Sequence, residues 1–192
     1  MNDLDRAVYN HVRGSGYRWC VPEVGYKDWY ADFIAWGPGK GVLEIETKRT
    51  FTDYVADKRK KSNDRRRRRQ WNPEPRLRGR YRVYDLLPPL TKWEWLLGLW
   101  PCQWRPTNFV IAAPWELATQ IVKDKNYPSC FGIWGNSVNT LQVIRRSTRL
   151  CRLRPEQQGR FERDIMKRAV NFLDNYYSNL ASRERIKAAN HA

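Results

Sequence analysis

Residues 30–48, YADFIAWGPGKGVLEIETK, join two apolar runs through a glycine-rich connection and place charges where a buried strand ordinarily has none. Phe33, Ile34 and Trp36 make the first run apolar. Gly37, Pro38, Gly39 and Gly41 crowd the connection, as a tight hairpin requires where φ turns positive. The second strand is Gly41 to Thr47, and side chains alternate by face along it. Val42, Glu44, Glu46 and Lys48 therefore share one side, and Leu43, Ile45 and Thr47 the other. Asp32 lies near the end of the partner strand, so the stretch reads D…E-x-K. Carboxylates suit a hard divalent ion, and an ammonium can orient a water or neutralise a phosphate. The bland alternative is an acid and a base two apart on an exposed sheet face, a spacing that arises by chance in unrelated proteins. Against it, three charged groups among Val, Leu and Ile would spoil a central strand that had no use for them.

Four blocks in order carry a resemblance to a known family: VPEVGY with Glu23, YADFIAWG with Asp32, VLEIETKRTFTDYVADKRK with Glu46 and Lys48, and NFVIAAP before a helix. They resemble the PD-(D/E)xK nuclease superfamily, most closely its MmcB-like DNA-repair branch. The third block is the specific one. After the E-x-K it keeps a helix start with Asp53, Tyr54, Ala56, Asp57, Lys58 and Arg59. The resemblance implies a restriction-endonuclease-like α/β core, a mixed central sheet flanked by helices. It also implies that Asp32 and Glu46 hold Mg²⁺ or Mn²⁺, that Lys48 assists the attacking water, and that Glu23 is an auxiliary acid. The chain departs from the family pattern at Lys60, where tryptophan is usual, lacks a tyrosine about a turn later, and then carries a long insertion. Glu44 shares the face of Glu46 and is either a second acid near the metal or a group at the sheet edge. A backbone carbonyl between the strand residues would add an oxygen ligand.

The insertion, about residues 60–106, holds most of the charge. From Lys58 to Arg82 there are thirteen bases against two acids, in a chain of 192 residues whose net charge is +16. Such an excess points to a polyanionic partner. Lys58, Arg59, Lys60, Lys61 and the consecutive arginines Arg65, Arg66, Arg67, Arg68 and Arg69 cannot pack together without repulsion. Their position beside D…E-x-K favours an arm that grips DNA through phosphates without reading bases. A solvated loop or a nuclear-localisation signal would have the same composition. Further on, TKWEWLLGLW reads as one short apolar helix carrying Trp93, Trp95 and Trp100. Its rings either fill a small satellite core or stack on bases, and the core reading is preferred.

The remainder supports a single α/β domain over residues 1–154. A first helix from about Leu4 to Arg13 presents Leu4, Ala7, Val8 and Val12 on one side and is capped by Asn2 or Asp3. His11 on it is a structural histidine in preference to a ligand. A strand from about Tyr17 to Tyr26 holds Glu23, which without the family resemblance is a solvated strand end. Thr50 or Thr52 starts the helix after Lys48, with Phe51, Tyr54 and Val55 toward the sheet. Asp53 and Asp57 read as helix-face charge. Strands over Asn108–Ala113, Cys130–Trp134 and Thr140–Ile144 follow, with a helix opened by Pro114 between the first two. Arg145, Arg146, Arg149, Arg152 and Arg154 form a second basic patch. Residues 155–192 read as a long amphipathic helix with Phe161, Ile165, Ala169, Phe172, Tyr176 and Leu180 in its stripe. That helix either packs on the core or pairs with a second subunit as a homodimer.

Several classes are excluded or disfavoured. Cys20, Cys102, Cys130 and Cys151 are scattered without C-x-x-C, so a structural zinc site is not expected and buried single thiols are. His11 and His191 are the only histidines, which leaves Ser-His-Asp or Cys-His catalysis without support. There is no P-loop, no signal core and no apolar run long enough for a membrane span. An intracellular, Mg²⁺- or Mn²⁺-dependent DNA nuclease is the expectation. A non-catalytic nucleic-acid-binding protein on the same fold, or a viral genome-packaging protein, stands beside it.

Overall fold

The structure is a computed structural model that describes residues 2–26, 29–60, 76–78, 81–83, 91–99, 105–138, 140–153, 156–167 and 170–171. The chain forms two compact units, Met1–Arg152 and Leu153–Ala192. In the first, the elements run α1 (Asp3–Gly14), β1 (Trp19–Tyr26), β2 (Trp29–Gly37), β3 (Gly41–Thr47), α2 (Phe51–Arg59), β4 (Arg76–Arg78), β5 (Tyr81–Val83), α3 (Lys92–Leu96), β6 (Asn108–Pro114), α4 (Trp115–Lys123), β7 (Gly132–Ser137) and β8 (Thr140–Arg145). Six strands form one mixed sheet in the order β1-β2-β3-β6-β7-β8, and β4 and β5 make a separate two-stranded ribbon. β1, β2 and β3 are antiparallel, β3 runs parallel to β6 and β6 to β7, and β8 returns antiparallel. No helix among the described residues is long and apolar enough to cross a membrane.

The central hairpin forms as its residues dictate. Gly37 pairs with Gly41 across a three-residue turn in which Gly39 has φ +73°, and Gly41 itself has φ +75°. Thr107 explains why position 41 must stay bare: its hydroxyl accepts the Val42 N–H and donates to the Val42 carbonyl, each at 2.8 Å. A Cβ on Gly41 would lie 2.5 Å from that hydroxyl. Gly41→Ala combines this clash with a left-handed backbone cost of about 1–2 kcal/mol. Urea unfolding should show a loss of about 2 kcal/mol or more, and an unchanged midpoint would contradict the account.

The two faces of the sheet differ. On one, Phe33, Ala35, Leu43, Ile45, Val110, Ala112 and Trp134 pack against Leu4, Ala7, Val8 and Val12 of α1. Burial of each such α1 Leu or Val side chain contributes roughly 1.5–3 kcal/mol. The helix is capped as expected, with Asn2 Oδ1 accepting the Asp5 N–H at 2.9 Å. His11 packs against Trp134 with ring centroids 4.6 Å apart and planes tilted by 60°, so its role is packing. The opposite face carries Ile34, Val42, Glu44, Glu46, Phe109 and Ile111, in the register Ile34↔Glu44↔Phe109 and Glu46↔Ile111. Here α2 and α3 contribute Tyr54 and Trp93 to an aromatic cluster with Tyr127, Phe131 and Phe109. Trp93 and Trp95 are buried and therefore belong to the core, while Trp100 lies outside the described residues.

Several expectations shift in detail. Phe51 is 43% exposed instead of facing the sheet, because α2 starts at that residue and its buried positions are Tyr54 and Asp57. Cys20, Cys130 and Cys151 are only half-buried, where fully buried thiols were expected. Burial pushes the Cys20 thiol up to about 12, which makes it a poor nucleophile. In the second unit a helix over residues 156–167 buries Phe161 and Ile165, two members of the expected stripe. The stretch expected to carry that helix on to residue 192 lies, beyond residue 171, outside the described residues.

Candidate active site

The charged face of β3 is built from backbone register outward. Lys48 follows the last residue of β3, and its N–H donates to the Ala112 carbonyl of β6 at 2.9 Å, which prolongs the parallel ladder by one position. Its side chain thus stays on the face of Glu44 and Glu46. On β2, one position beyond the Phe33↔Ile45 pair, Asp32 is fixed by Thr47, whose N–H and hydroxyl donate to Oδ2 at 2.6 and 2.7 Å. The Thr47 that the alternation places on the other face is what aims Asp32. Asp32 Oδ1 takes no hydrogen bond from a described residue.

Four carboxylates and two ammoniums meet here. Lys48 Nζ lies 2.9 Å from Glu46 Oε2 and 3.5 Å from Asp57 Oδ1. Lys92 Nζ lies 2.5 Å from Glu44 Oε1, donates to the Tyr30 carbonyl at 3.0 Å, and makes a short contact with Glu46 Oε1. Glu44 is 0% exposed and Lys92 1%. Glu44 Oε2 and Asp57 Oδ2 are buried and accept no hydrogen bond among the described residues. With every group ionised, the cluster of Asp32, Glu44, Glu46 and Asp57 against Lys48 and Lys92 keeps two negative charges.

The electrostatics follow from this arrangement. Burial alone would raise Glu46, but the Lys92 and Lys48 ammoniums outweigh it and hold its carboxyl below the ordinary value. Glu44 goes the other way, pushed up to about 7 by burial, which its contact with Lys92 offsets only in part. Burial and the neighbouring Glu46 charge raise Asp32 against the two Thr47 hydrogen bonds. Burial would lower Lys48, but Glu46 and Asp57 raise it, so it is an ammonium at neutral pH.

Glu44 makes stability pH-dependent. Its folded-state pKa lies above the ordinary 4.5, so its contribution is full below about 4.5 and is lost as pH rises to about 7. Glu44→Gln removes that slope. Between those limits wild type should lose on the order of 1–3 kcal/mol more than the variant, measured by urea unfolding at several pH values. Parallel curves for the two proteins would contradict the burial of a titrating carboxyl.

The other expected site residues fall in different places. Glu23 lies on β1 across from Asp32, between the Pro22↔Phe33 and Val24↔Ala31 pairs, but it is exposed and has φ +50°. No hydrogen bond or ion pair among the described residues joins it to the cluster. Lys58 is committed to structure: its ammonium lies 2.7 Å from Asp124 Oδ2 and over the Tyr54 and Trp93 rings. The Lys58 and Tyr54 hydrogen bonds hold Asp124 down at about 2. Arg59 and Lys60 are exposed, whereas Lys61 and Arg65 to Arg69 lie outside the described residues. In the second basic patch, Arg145 stacks over Tyr127 at 4.6 Å and Arg146, Arg149 and Arg152 are exposed.

Two site residues escaped the sequence reading. Asp57, read as helix-face charge, is buried beside Lys48, and its spacing of three from the apolar Tyr54 was the available signal. Lys92 gave a subtler one. A capping box of Thr91 and Glu94 starts α3 at a lysine flanked by buried tryptophan, where a solvated lysine would have no room.

No protein-family model matches the sequence, and no curated protein matches it. A solved structure described as SPO1766 protein of unknown function from Silicibacter pomeroyi is similar in fold, with TM-score 0.56 and 18% identity over 88% of this chain and 86% of that one.

Proposed function

We propose that the chain is a metal-dependent nuclease that hydrolyses phosphodiester bonds in DNA. The observation that carries this reading is the convergence of Asp32, Glu46 and Lys48 on one buried sheet face, with Lys48 Nζ 2.9 Å from Glu46. Antiparallel β1-β2-β3 followed by α2 and the parallel β6 is consistent with a nuclease core.

The residues present fit a divalent ion. No group of three or more His, Cys, Asp or Glu among the described residues forms a ready cage. Mg²⁺ does not need one, because it keeps several waters and binds through one or two carboxylates. Asp32 and Glu46 would hold it. The two negative charges that the fully ionised cluster keeps, and the buried Glu44 Oε2 and Asp57 Oδ2 that accept no hydrogen bond among the described residues, are what a divalent cation would relieve. When bound, the ion supplies Lewis-acid polarisation of the phosphate and a more acidic water. Lys48, an ammonium clamped by Glu46 and Asp57, offsets negative charge developing on the phosphate; it is a charge donor and not the proton-accepting base. Thr47 holds Asp32 in place.

The basic insertion supports DNA as the substrate. Two points of it, its start at Lys60 and Lys92 beyond the arginine run, meet beside the site, where the Lys92 N–H donates to the Lys60 carbonyl at 3.2 Å. Arg49, one residue after Lys48, and Arg59 and Lys60, at the end of α2, are exposed. One observation favours a non-catalytic nucleic-acid-binding protein instead: both Glu46 oxygens already accept from lysines.

The deciding assay is cleavage of supercoiled plasmid and of short single-stranded and branched DNAs with Mg²⁺, with Mn²⁺ and with EDTA. Binding is followed at ~50 and ~200 mM salt, over which several phosphate contacts weaken by about 10³. Cutting that requires metal and is lost in Lys48→Ala with binding retained supports the nuclease. Binding without cutting, equal in the two proteins, leaves only the binder.

A further inference from the structure

We propose that the Lys92 ammonium is a built-in cation that takes, between Glu44 and Glu46, the place of a second divalent ion and so restricts the centre to one. This rests on the metal-dependent reading above, and the experiment below separates the two.

The surroundings of Lys92 Nζ are those of a hard metal ion. Its neighbours are all oxygens: Glu44 Oε1, an ion-pair partner at 2.5 Å, and two hydrogen-bond acceptors, Glu46 Oε1 and the Tyr30 carbonyl at 3.0 Å. Two carboxylates and a carbonyl are the donor types that Mg²⁺, Mn²⁺ and Ca²⁺ select. A further oxygen is held in reserve, since Glu44 Oε2 is fully buried and takes no hydrogen bond among the described residues. Glu46 divides its two oxygens, Oε1 toward Lys92 and Oε2 toward Lys48. The carboxylate that would serve the catalytic ion with Asp32 is therefore also a wall of the Lys92 site. That sharing is how adjacent cation sites are built in two-ion phosphotransfer centres.

Lys92 is also held in place as a fixed group. The capping box of Thr91 and Glu94 sets the start of α3, the Lys92 N–H is anchored to Lys60 O, and the ammonium faces the Phe109 ring at 5.9 Å. An ammonium brings one positive charge where a divalent ion would bring two. Even with every group ionised, the cluster so keeps two negative charges, enough for one divalent ion and not for a pair. Lys92 is then a positioning residue: it holds Glu46 for the metal without touching substrate.

The test counts Mn²⁺ on the full-length chain by isothermal titration and by the loss of the free-ion EPR signal, alongside Mn²⁺-dependent thermal shifts. Wild type, Lys92→Met and the double variant Lys92→Met/Glu44→Gln are compared. The proposal expects wild type to bind one Mn²⁺, Lys92→Met two, and the double variant one. It also expects Mn²⁺ to raise the Tm of Lys92→Met more than that of wild type, because the ion replaces the lost ammonium. Equal stoichiometry in wild type and Lys92→Met overturns it, as does a Lys92→Met chain that no concentration of Mn²⁺ brings to a folded state. A wild type that binds no Mn²⁺ defeats the metal-dependent function. Gain of one ion by Lys92→Met would even then uphold the cation role of Lys92, and no gain would defeat both.

Discussion

Under the proposed nuclease function, Glu46→Gln will lower metal-dependent DNA cleavage by about two to three orders of magnitude, the scale seen when a group that organises transition-state charge is removed. Glu46 is the one side chain on which every other part of the centre leans. Its Oε2 accepts from Lys48, its Oε1 from Lys92, and its charge acts on Asp32. Glutamine has the same shape but one acceptor oxygen, so its amide N–H₂ must face one of the two ammoniums. A single substitution thereby weakens the metal site, loosens Lys48 and disturbs the Glu44–Lys92 pair. The loss should appear mainly in the rate at saturating DNA, since Glu46 is buried and the bases that would bind phosphate are exposed. Titration of DNA at ~50 mM salt should give a Kd within about threefold of wild type, with Mn²⁺ binding weakened. Near-wild-type cleavage by a folded Glu46→Gln protein would remove Glu46 from the mechanism and with it the nuclease assignment.

What could be read in advance divides along a physical line. The hairpin, the E-x-K strand and the buried stripe of α1 depend on neighbours two to four residues apart, and strict alternation or helical spacing carries that information directly. Glu44, Glu46 and Lys48 on one face, and Leu4, Ala7, Val8 and Val12 in the core, follow from it. Asp57 and Lys92 depend on where an element docks. Asp57 lies beyond the first turn of α2, which Asp53 occupies, and only the docking of that helix turns it inward against Lys48. Lys92 lies within the basic insertion, 46 residues from Glu46, so its identity as one cation among 36 Lys and Arg conceals it. Glu23 shows the opposite failure. The register brings its backbone opposite Asp32, but a φ of +50° departs from the extended path that the alternation argument assumes, and the side chain ends exposed.

Lys92→Met will destabilise the fold by about 3–5 kcal/mol, the cost typical of removing one partner from a buried ion pair. Glu44 is the reason. It is fully buried, its Oε2 has no described partner, and Lys92 is the cation in contact with its Oε1. Methionine fills much of the lysine volume, so the deficit comes from charge and not from a cavity. Domains of this kind have ~5–15 kcal/mol in total, so the variant will unfold at markedly lower urea or will populate partly unfolded states at neutral pH. Two rescues identify the cause. Adding Glu44→Gln removes the stranded charge and should recover about 2 kcal/mol, a coupling that a purely steric defect would not show. Lowering the pH should help as well. Glu44 already titrates near 7 beside Lys92, and loss of the ammonium raises it further, so acidification neutralises the group and restores stability to Lys92→Met over a range where wild type changes less. If Lys92→Met is destabilised but neither Glu44→Gln nor lower pH recovers any of the loss, the Glu44–Lys92 pair is not what holds this face of the sheet. The aromatic packing of Trp93 beside it would then carry the effect.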